Sequence, residues 1–216
     1  MPAPPSPATP ADAPDLQVLQ RRRKHALRIA AVAGMALLAV TQSRWRTAQP
    51  ALYDLLVRGG VLLILLCIAG RTWCTLYIGG HKKRELITKG PYSLVRNPLY
   101  VFTFMGTAGV GALSGSFVLT LAFAALALVV FSLVVRQEEV FLGGAFGRDY
   151  AAYAARVPRF WPRFSSWEEA GEVMVRPRLV RRTFLDASLF LLAVPLMELK
   201  DWGQATGRLP VLLYLP

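Results

Sequence analysis

The sequence predicts an all-α membrane protein of about five spans, and three observations carry that expectation. The 216 residues are 54% hydrophobic yet carry a formal net charge of +12. Such extremes coexist when the apolar and charged populations occupy different solvents. Apolar runs of crossing length alternate with short polar segments. Finally, nineteen of the 25 Lys and Arg residues fall on alternate segments, the asymmetry that orients helices with their basic loops inside.

Each element follows in chain order. Residues 1–19 are rich in Pro and Ala without periodicity and read as a disordered tail. Arg21 to Arg28 is basic and leads into an apolar run, Ile29 to Val40. A signal peptide has this shape, but no small-x-small cleavage site precedes Arg44 and Trp45, so an uncleaved first membrane helix is expected. A second span starts near Leu55 or Val61 and ends at Gly80. It carries Arg58, which Asp54 can neutralise from four residues away, and Arg71. An arginine in hydrocarbon either faces the bundle interior or snorkels to the interface, and both readings stay open for Arg71. The polar loop His81 to Pro98 follows. Leu99 to Leu113 and Phe117 to Val135 form a hydrophobic hairpin around Ser114-Gly115-Ser116. Two crossings return the chain to the side it left, so the polar segments on either side of the hairpin share one face. Gln137 to Arg182 is polar and basic. The last apolar segment, Phe184 to Leu199, is short and contains Asp186 and Pro195; it either spans or lies partly buried.

Composition also excludes. A sequence pI near 10.4 would suit nucleic acid in a soluble chain. Here the basic residues border apolar runs and no nucleic-acid module accompanies them, so no nucleic-acid partner is expected. Cys67 and Cys74 lie about two helical turns apart in one apolar stretch, too far to bridge. His25 and His81 are widely separated, so no metal site is expected.

The chemistry-bearing residues flank the hairpin. On one side is Gly90-Pro-Tyr-Ser-Leu-Val-Arg-Asn-Pro-Leu-Tyr100. Gly90-Pro91 marks a turn, and Pro98 suits the first turn of a new helix with Arg96 just ahead of it. Free N–H groups and an arginine at a helix start suit a carboxylate or phosphate. The competing reading is an interfacial loop anchored by Tyr92 and Tyr100. On the other side, Arg136 and Glu139 are three apart on a helix and can pair, leaving Glu138 available. Phe146, Tyr150, Tyr153 and Val157 make one apolar helical face ended by Pro158, a helix that lies on the membrane surface or lids a site. Phe160, Trp161, Phe164 and Trp167 extend an interfacial anchor. Gly106, Gly109, Gly111 and Gly115 permit close helix packing or leave room for a bound group.

Taken together, Gly90, Tyr92, Arg96, Pro98 and Tyr100, then a hydrophobic hairpin, then Glu138, Glu139, Phe146, Gly147, Tyr150, Tyr153, Val157 and Pro158 resemble the isoprenylcysteine carboxyl methyltransferase and phospholipid methyltransferase superfamily. The resemblance covers about residues 70–162, within a core of residues 20–167; residues 168–216 are an extension beyond it. It implies methyl transfer from S-adenosylmethionine, with S-adenosylhomocysteine as product, to a membrane lipid or lipophilic small-molecule acceptor. It implies a cytoplasmic cofactor pocket at the bilayer, closed by a C-terminal amphipathic helix and bound by Gly90, Tyr92, Arg96, Asn97, Pro98, Tyr100, Glu138, Tyr150 and Tyr153. Arg136 and Glu139 are its expected catalytic pair. Two positions depart from the pattern. Asn97 stands where the family has His, which removes a His-based proton shuttle, and Val134 stands where an arginine often precedes the first Glu. A bacterial inner membrane is the expected location. The rival reading of the same features is a non-catalytic protein that binds lipid or helps assemble a membrane complex.

Overall fold

The computed structural model describes residues 32–78 and 85–216. The expected N-terminal tail, the basic run from Arg21 to Arg28 and the stretch His81 to Arg84 lie outside the described residues. Residues 1–39 and 40–216 form two compact units. Of the first, the described part is helical; the helix α1 covers residues 32–40.

The second unit begins with β1 (Thr41–Ser43) and a turn of helix, α2 (Trp45–Ala48), before α3 (Pro50–Ile78). Next come a short α4 (Pro91–Leu94), α5 (Pro98–Ala112) and α6 (Phe117–Arg156). After a loop with one 3-10 turn at Phe164–Ser166 stand α7 (Pro177–Ser188), a 3-10 turn Leu189–Leu192, α8 (Ala193–Ala205) and β2 (Leu213–Leu215).

Among the described residues, two helices, α3 and α6, are long and apolar enough to cross a bilayer. The 29 residues of α3 rise about 43 Å at ~1.5 Å each. The 15 residues of α5 rise only about 22 Å, less than a hydrocarbon core of about 30 Å. The last apolar segment is no continuous rod, because the 3-10 turn at Leu189–Leu192 interrupts it. The expected Arg58–Asp54 pair is formed at 3.9 Å on the exposed side of α3.

Small residues set the close approach of α3 and α5. A Cβ on Gly109 would lie 2.7 Å from the Gly60 carbonyl oxygen, and one on Gly60 would lie 2.8 Å from that of Gly109. Phe102 closes on Gly70 and Cys67 on Gly106, so the two helices run antiparallel with their backbones nearly touching. Phe190, from the 3-10 turn after α7, also reaches Gly106, which ties the C-terminal extension to the same bundle. The glycines of α5 are therefore packing surfaces. The hairpin turn is held by Ser116, whose hydroxyl accepts from the Leu119 N–H and caps α6.

The far end of the bundle is knotted by the C-terminus. β1 and β2 pair in parallel, Ser43 Oγ donates to the Gly115 carbonyl at 2.6 Å, and Ser116 Oγ donates to that of Pro216 at 2.7 Å. At the near end, α6 breaks at Gly147, whose φ of 52° and ψ of −118° are left-handed. Glycine carries that conformation without a Cβ penalty. The break redirects residues 148–156 toward the loop before α4.

Candidate active site

Two stretches far apart in sequence are sewn together through their main chains. The Arg96 N–H donates to the Pro158 carbonyl at 2.8 Å, and the Arg163 N–H to that of Leu94 at 3.0 Å. The Gly90 N–H donates to the Glu168 carbonyl at 2.8 Å, while the Glu168 N–H reaches Ser93 Oγ at 3.0 Å. Tyr153 adds a side-chain stitch: its hydroxyl donates to the Tyr92 carbonyl at 2.7 Å. Trp73 on α3 stacks on Trp167 with centroids 5.9 Å apart, fixing the loop to the end of the span. Gly90 has a φ of 61°, and any Cβ there would strike the Tyr77 ring, so the turn into α4 requires glycine.

This frame gathers the charged groups. Glu139 is the hub, its side chain only 10% exposed. Its carboxylate accepts from Arg159 Nε at 2.9 Å and Nη2 at 2.5 Å, and from Asn97 Nδ2 at 3.4 Å. Arg96 Nη1 lies 3.4 Å away, from a side chain 15% exposed. Neighbouring Glu138 is exposed and accepts from the Tyr100 hydroxyl at 2.7 Å. Both glutamates of α6 are thus bonded across to residues at the start of α5, which is the geometric outcome of the hairpin.

Two polar atoms here are buried without a hydrogen-bond partner among the described residues, the Tyr92 hydroxyl and Nε of Arg96, while the Tyr150 hydroxyl lies against the Arg96 guanidinium. Burial pushes the Tyr92 phenol well above its ordinary 10.0, and the nearby Cys74, Tyr153, Glu138 and Tyr100 push the same way. Tyr92 is therefore a neutral donor at any physiological pH. The hydrogen bond to Glu139 raises the Arg159 guanidinium, which stays charged. Orphaned donors cost free energy unless a ligand takes them. Donors of this kind suit a carboxylate and ribose hydroxyls, and the carboxylates beside them suit an ammonium.

Of the residues expected from the sequence, Arg96 and Asn97 contact Glu139, and Tyr100 contacts Glu138. Tyr92, Tyr150 and Tyr153 are buried beside them, Gly90 shapes the turn, and Pro98 opens α5 as its first residue. The Arg136–Glu139 pair expected from helical spacing is not formed. Arg136 is exposed and makes no ion pair among the described residues, because Glu139 turns inward to Arg96 and Arg159. Tyr150, Tyr153 and Val157 cluster against Leu86, Leu142 and Phe146, so that helical face packs inward. Arg159 was not singled out by the sequence reading. Its position directly after Val157-Pro158 was the available signal, since the chain leaving the helix stop must pass the site.

The phospholipid methyltransferase family matches residues 54–149, which include the stretch from Gly90 to Arg96 and both Glu138 and Glu139 but end before the stretch 158–168. The cobalt-zinc-cadmium resistance protein CzcN of Cupriavidus metallidurans is 34% identical over 197 residues, 91% of this chain and 90% of its own. The nickel-cobalt-cadmium resistance protein NccN of Alcaligenes xylosoxydans xylosoxydans is 31% identical over 92% of both chains. The protein-S-isoprenylcysteine O-methyltransferase of Schizosaccharomyces pombe is 38% identical over 78 residues, 36% of this chain and 33% of its own. No solved structure matches the chain. A helical bundle with membrane-length helices and this shared motif set defines a membrane methyltransferase class. The chain belongs to the isoprenylcysteine carboxyl methyltransferase and phospholipid methyltransferase superfamily.

Proposed function

We propose that the chain uses S-adenosylmethionine to methylate a lipophilic acceptor that reaches the site from the bilayer. One observation carries this reading: the unpartnered buried donors of Tyr92 and Arg96 lie beside Glu138 and Glu139 of the membrane-length helix α6. When bound, S-adenosylmethionine supplies an electrophilic methyl group on a sulfonium. Arg96 and the Tyr92 hydroxyl would hold its carboxylate and ribose, and Glu138, held by Tyr100, would face its ammonium. Glu139 is a positioning residue in this scheme: it fixes Arg96 and binds Arg159, and that commitment takes it out of the role of base. Arg136 is left at the lipid–water boundary, where it can meet an acceptor head group. Excluding water and aligning donor with acceptor are the main catalytic contributions in such a displacement.

The topology follows from the same reading. In it the basic segments face the cytoplasm, which supports a site on the cytoplasmic face, and the membrane is a bacterial inner membrane. A first span that ends in α1, then α3, the short α5, α6, and α7 with its 3-10 turn and α8 as one interrupted segment make about five membrane helices in this reading. A second reading concerns purpose. The two relatives that cover nine-tenths of the chain are named for metal resistance, so the methylated product serves metal tolerance.

Calorimetric titration of S-adenosylhomocysteine into the purified full chain in detergent tests the proposal. Saturable binding that Arg96→Ala abolishes is the expected result; no heat from the wild type overturns it. Equal growth on cadmium salts of cells carrying wild-type or Arg96→Ala protein removes the metal-tolerance reading alone.

A further inference from the structure

The C-terminal extension carries a pattern of charge and leucine that the candidate active site does not use. A groove of about 750 Å³ opens on the surface along α7. Arg176, Arg178, Arg181 and Arg182 line it, and Asp186 is the only carboxylate among its lining residues. Asp186 meets Arg182 at 3.8 Å, with both side chains mostly exposed. Four guanidinium groups against one carboxylate leave the groove strongly positive.

Leucines continue the pattern beyond the groove. From Arg178 and Arg182, alternating steps of four and three lead to Leu185, Leu189, Leu192, Leu196 and Leu199, all on one side of the segment. These five leucines are 42% to 61% exposed, whereas Ala187, Ala193, Met197 and Lys200 on the opposite side are buried. The stripe from Leu185 to Leu199 rises about 21 Å at ~1.5 Å per residue. One leaflet holds about 15 Å of hydrocarbon, so the stripe is long enough to line an acyl chain.

Charge decides what covers this face. A two-fold copy of the chain packed along the stripe would set Arg178 and Arg182 against themselves. Leucine also gains nothing by exchanging lipid for another leucine. An acidic peptide would satisfy the arginines but not the apolar track that continues from them. A phospholipid with a net negative head group matches both parts, its phosphate against the guanidinium groups and an acyl chain along the leucines.

We infer that this face of α7 and α8 binds an anionic diacyl phospholipid of the cytoplasmic leaflet, held as a resident lipid and not consumed as the methyl acceptor. The site rests on the topology proposed above, in which the segment stands in the membrane, and is independent of the methyl-transfer chemistry. It lies beyond residues 54–149, the part that the family matches. Because α7 packs on α3, the bound lipid also braces the bundle.

The test is binding of radiolabelled dioleoylphosphatidylglycerol to the full chain in dodecyl maltoside. Dioleoylphosphatidylcholine, with the same tails and no net charge, is the comparison probe. Arg178→Gln combined with Arg182→Gln should weaken phosphatidylglycerol binding about tenfold or more and leave phosphatidylcholine binding unchanged. Lysine at both positions should retain most of the affinity. Unchanged phosphatidylglycerol affinity in the double glutamine variant overturns the site, and so does an equal loss of both lipids, which marks a structural role. Full displacement by glycerol phosphate or polyglutamate overturns the lipid assignment, since neither has tails. A wild-type dimer that Leu189→Ser with Leu196→Ser dissolves overturns it too, in favour of a second copy. Rapid labelling of Leu192→Cys by a membrane-impermeant maleimide in proteoliposomes defeats the topology along with the site. Protection of that cysteine with unchanged lipid affinity defeats the site alone. S-adenosylhomocysteine binding on the same samples should not differ between wild type and the double glutamine variant; its absence from both defeats the methyltransferase reading while the lipid comparison still decides this site.

Discussion

Glu139→Gln is the most informative single change in this protein. The amide keeps the shape and one oxygen acceptor but removes the charge shared by Arg96, Arg159 and Asn97. The two arginines then fare differently. Arg96 is 15% exposed with Nε already unpartnered, so it is left as a buried charge without its counterion. Removing one member of a buried pair costs about 3–5 kcal/mol. Arg159 is 40% exposed, so water screens its share and holds the total near the low end, about 3 kcal/mol. For a chain of 216 residues that corresponds to a fall in Tm of about 6–12 °C. Arg159→Gln leaves the Arg96–Glu139 contact intact and should cost about 1 kcal/mol, or about 2–4 °C. Thermal melts of both single variants and the double variant in one detergent measure this directly, and a coupling of about 1 kcal/mol between the two positions is expected. The reasoning is refuted if Glu139→Gln melts within about 2 °C of wild type, or if Arg159→Gln is the more damaging change.

Two further outcomes follow from the geometry. Gly109→Leu must push α3 and α5 apart, because even a Cβ there would sit 2.7 Å from the Gly60 carbonyl oxygen. A loss of about 2–3 kcal/mol is expected, and an unchanged melting curve would show that the helices do not pack as described. The raised Tyr92 phenol predicts an alkaline limit. Above its ordinary pKa of 10.0 the unfolded chain releases this proton while the folded chain retains it, so stability falls as pH rises beyond that value. Tyr92→Phe should flatten the decline between pH 10 and 11 in alkaline melts, and an identical slope in both proteins would count against the burial argument.

Much of the candidate site was legible in the sequence because its parts are short and local. Gly90-Pro91 and Asn97-Pro98 encode a turn and a helix start through backbone restrictions that hold in any context, and α4 and α5 begin where they dictate. The hairpin was legible because an apolar run with a Ser-Gly-Ser break has few alternatives, and that run brings Tyr100 to Glu138. Helical spacing failed for Arg136. It places two residues on one side of a helix but is silent on partners from other elements, and Glu139 found better ones. Arg159 escaped notice for the same reason, since its role depends on where the chain goes after Pro158. Whether the final apolar segment spans stayed open in the sequence, whose average suits one helix; a 3-10 turn at Leu189–Leu192 interrupts it where Phe190 packs on Gly106.

The amino-acid order by itself determined that this is a helical membrane protein with polar motifs at one end of a hairpin, because hydrophobic length and turn chemistry act over a few residues at a time. Tertiary structure decided which charges meet. Only the fold could run residues 158–168 alongside residues 90–96 and turn Glu139 toward Arg96 and Arg159. Those outcomes depend on three-dimensional competition among partners distant in sequence, where desolvation makes the choice of partner worth several kcal/mol.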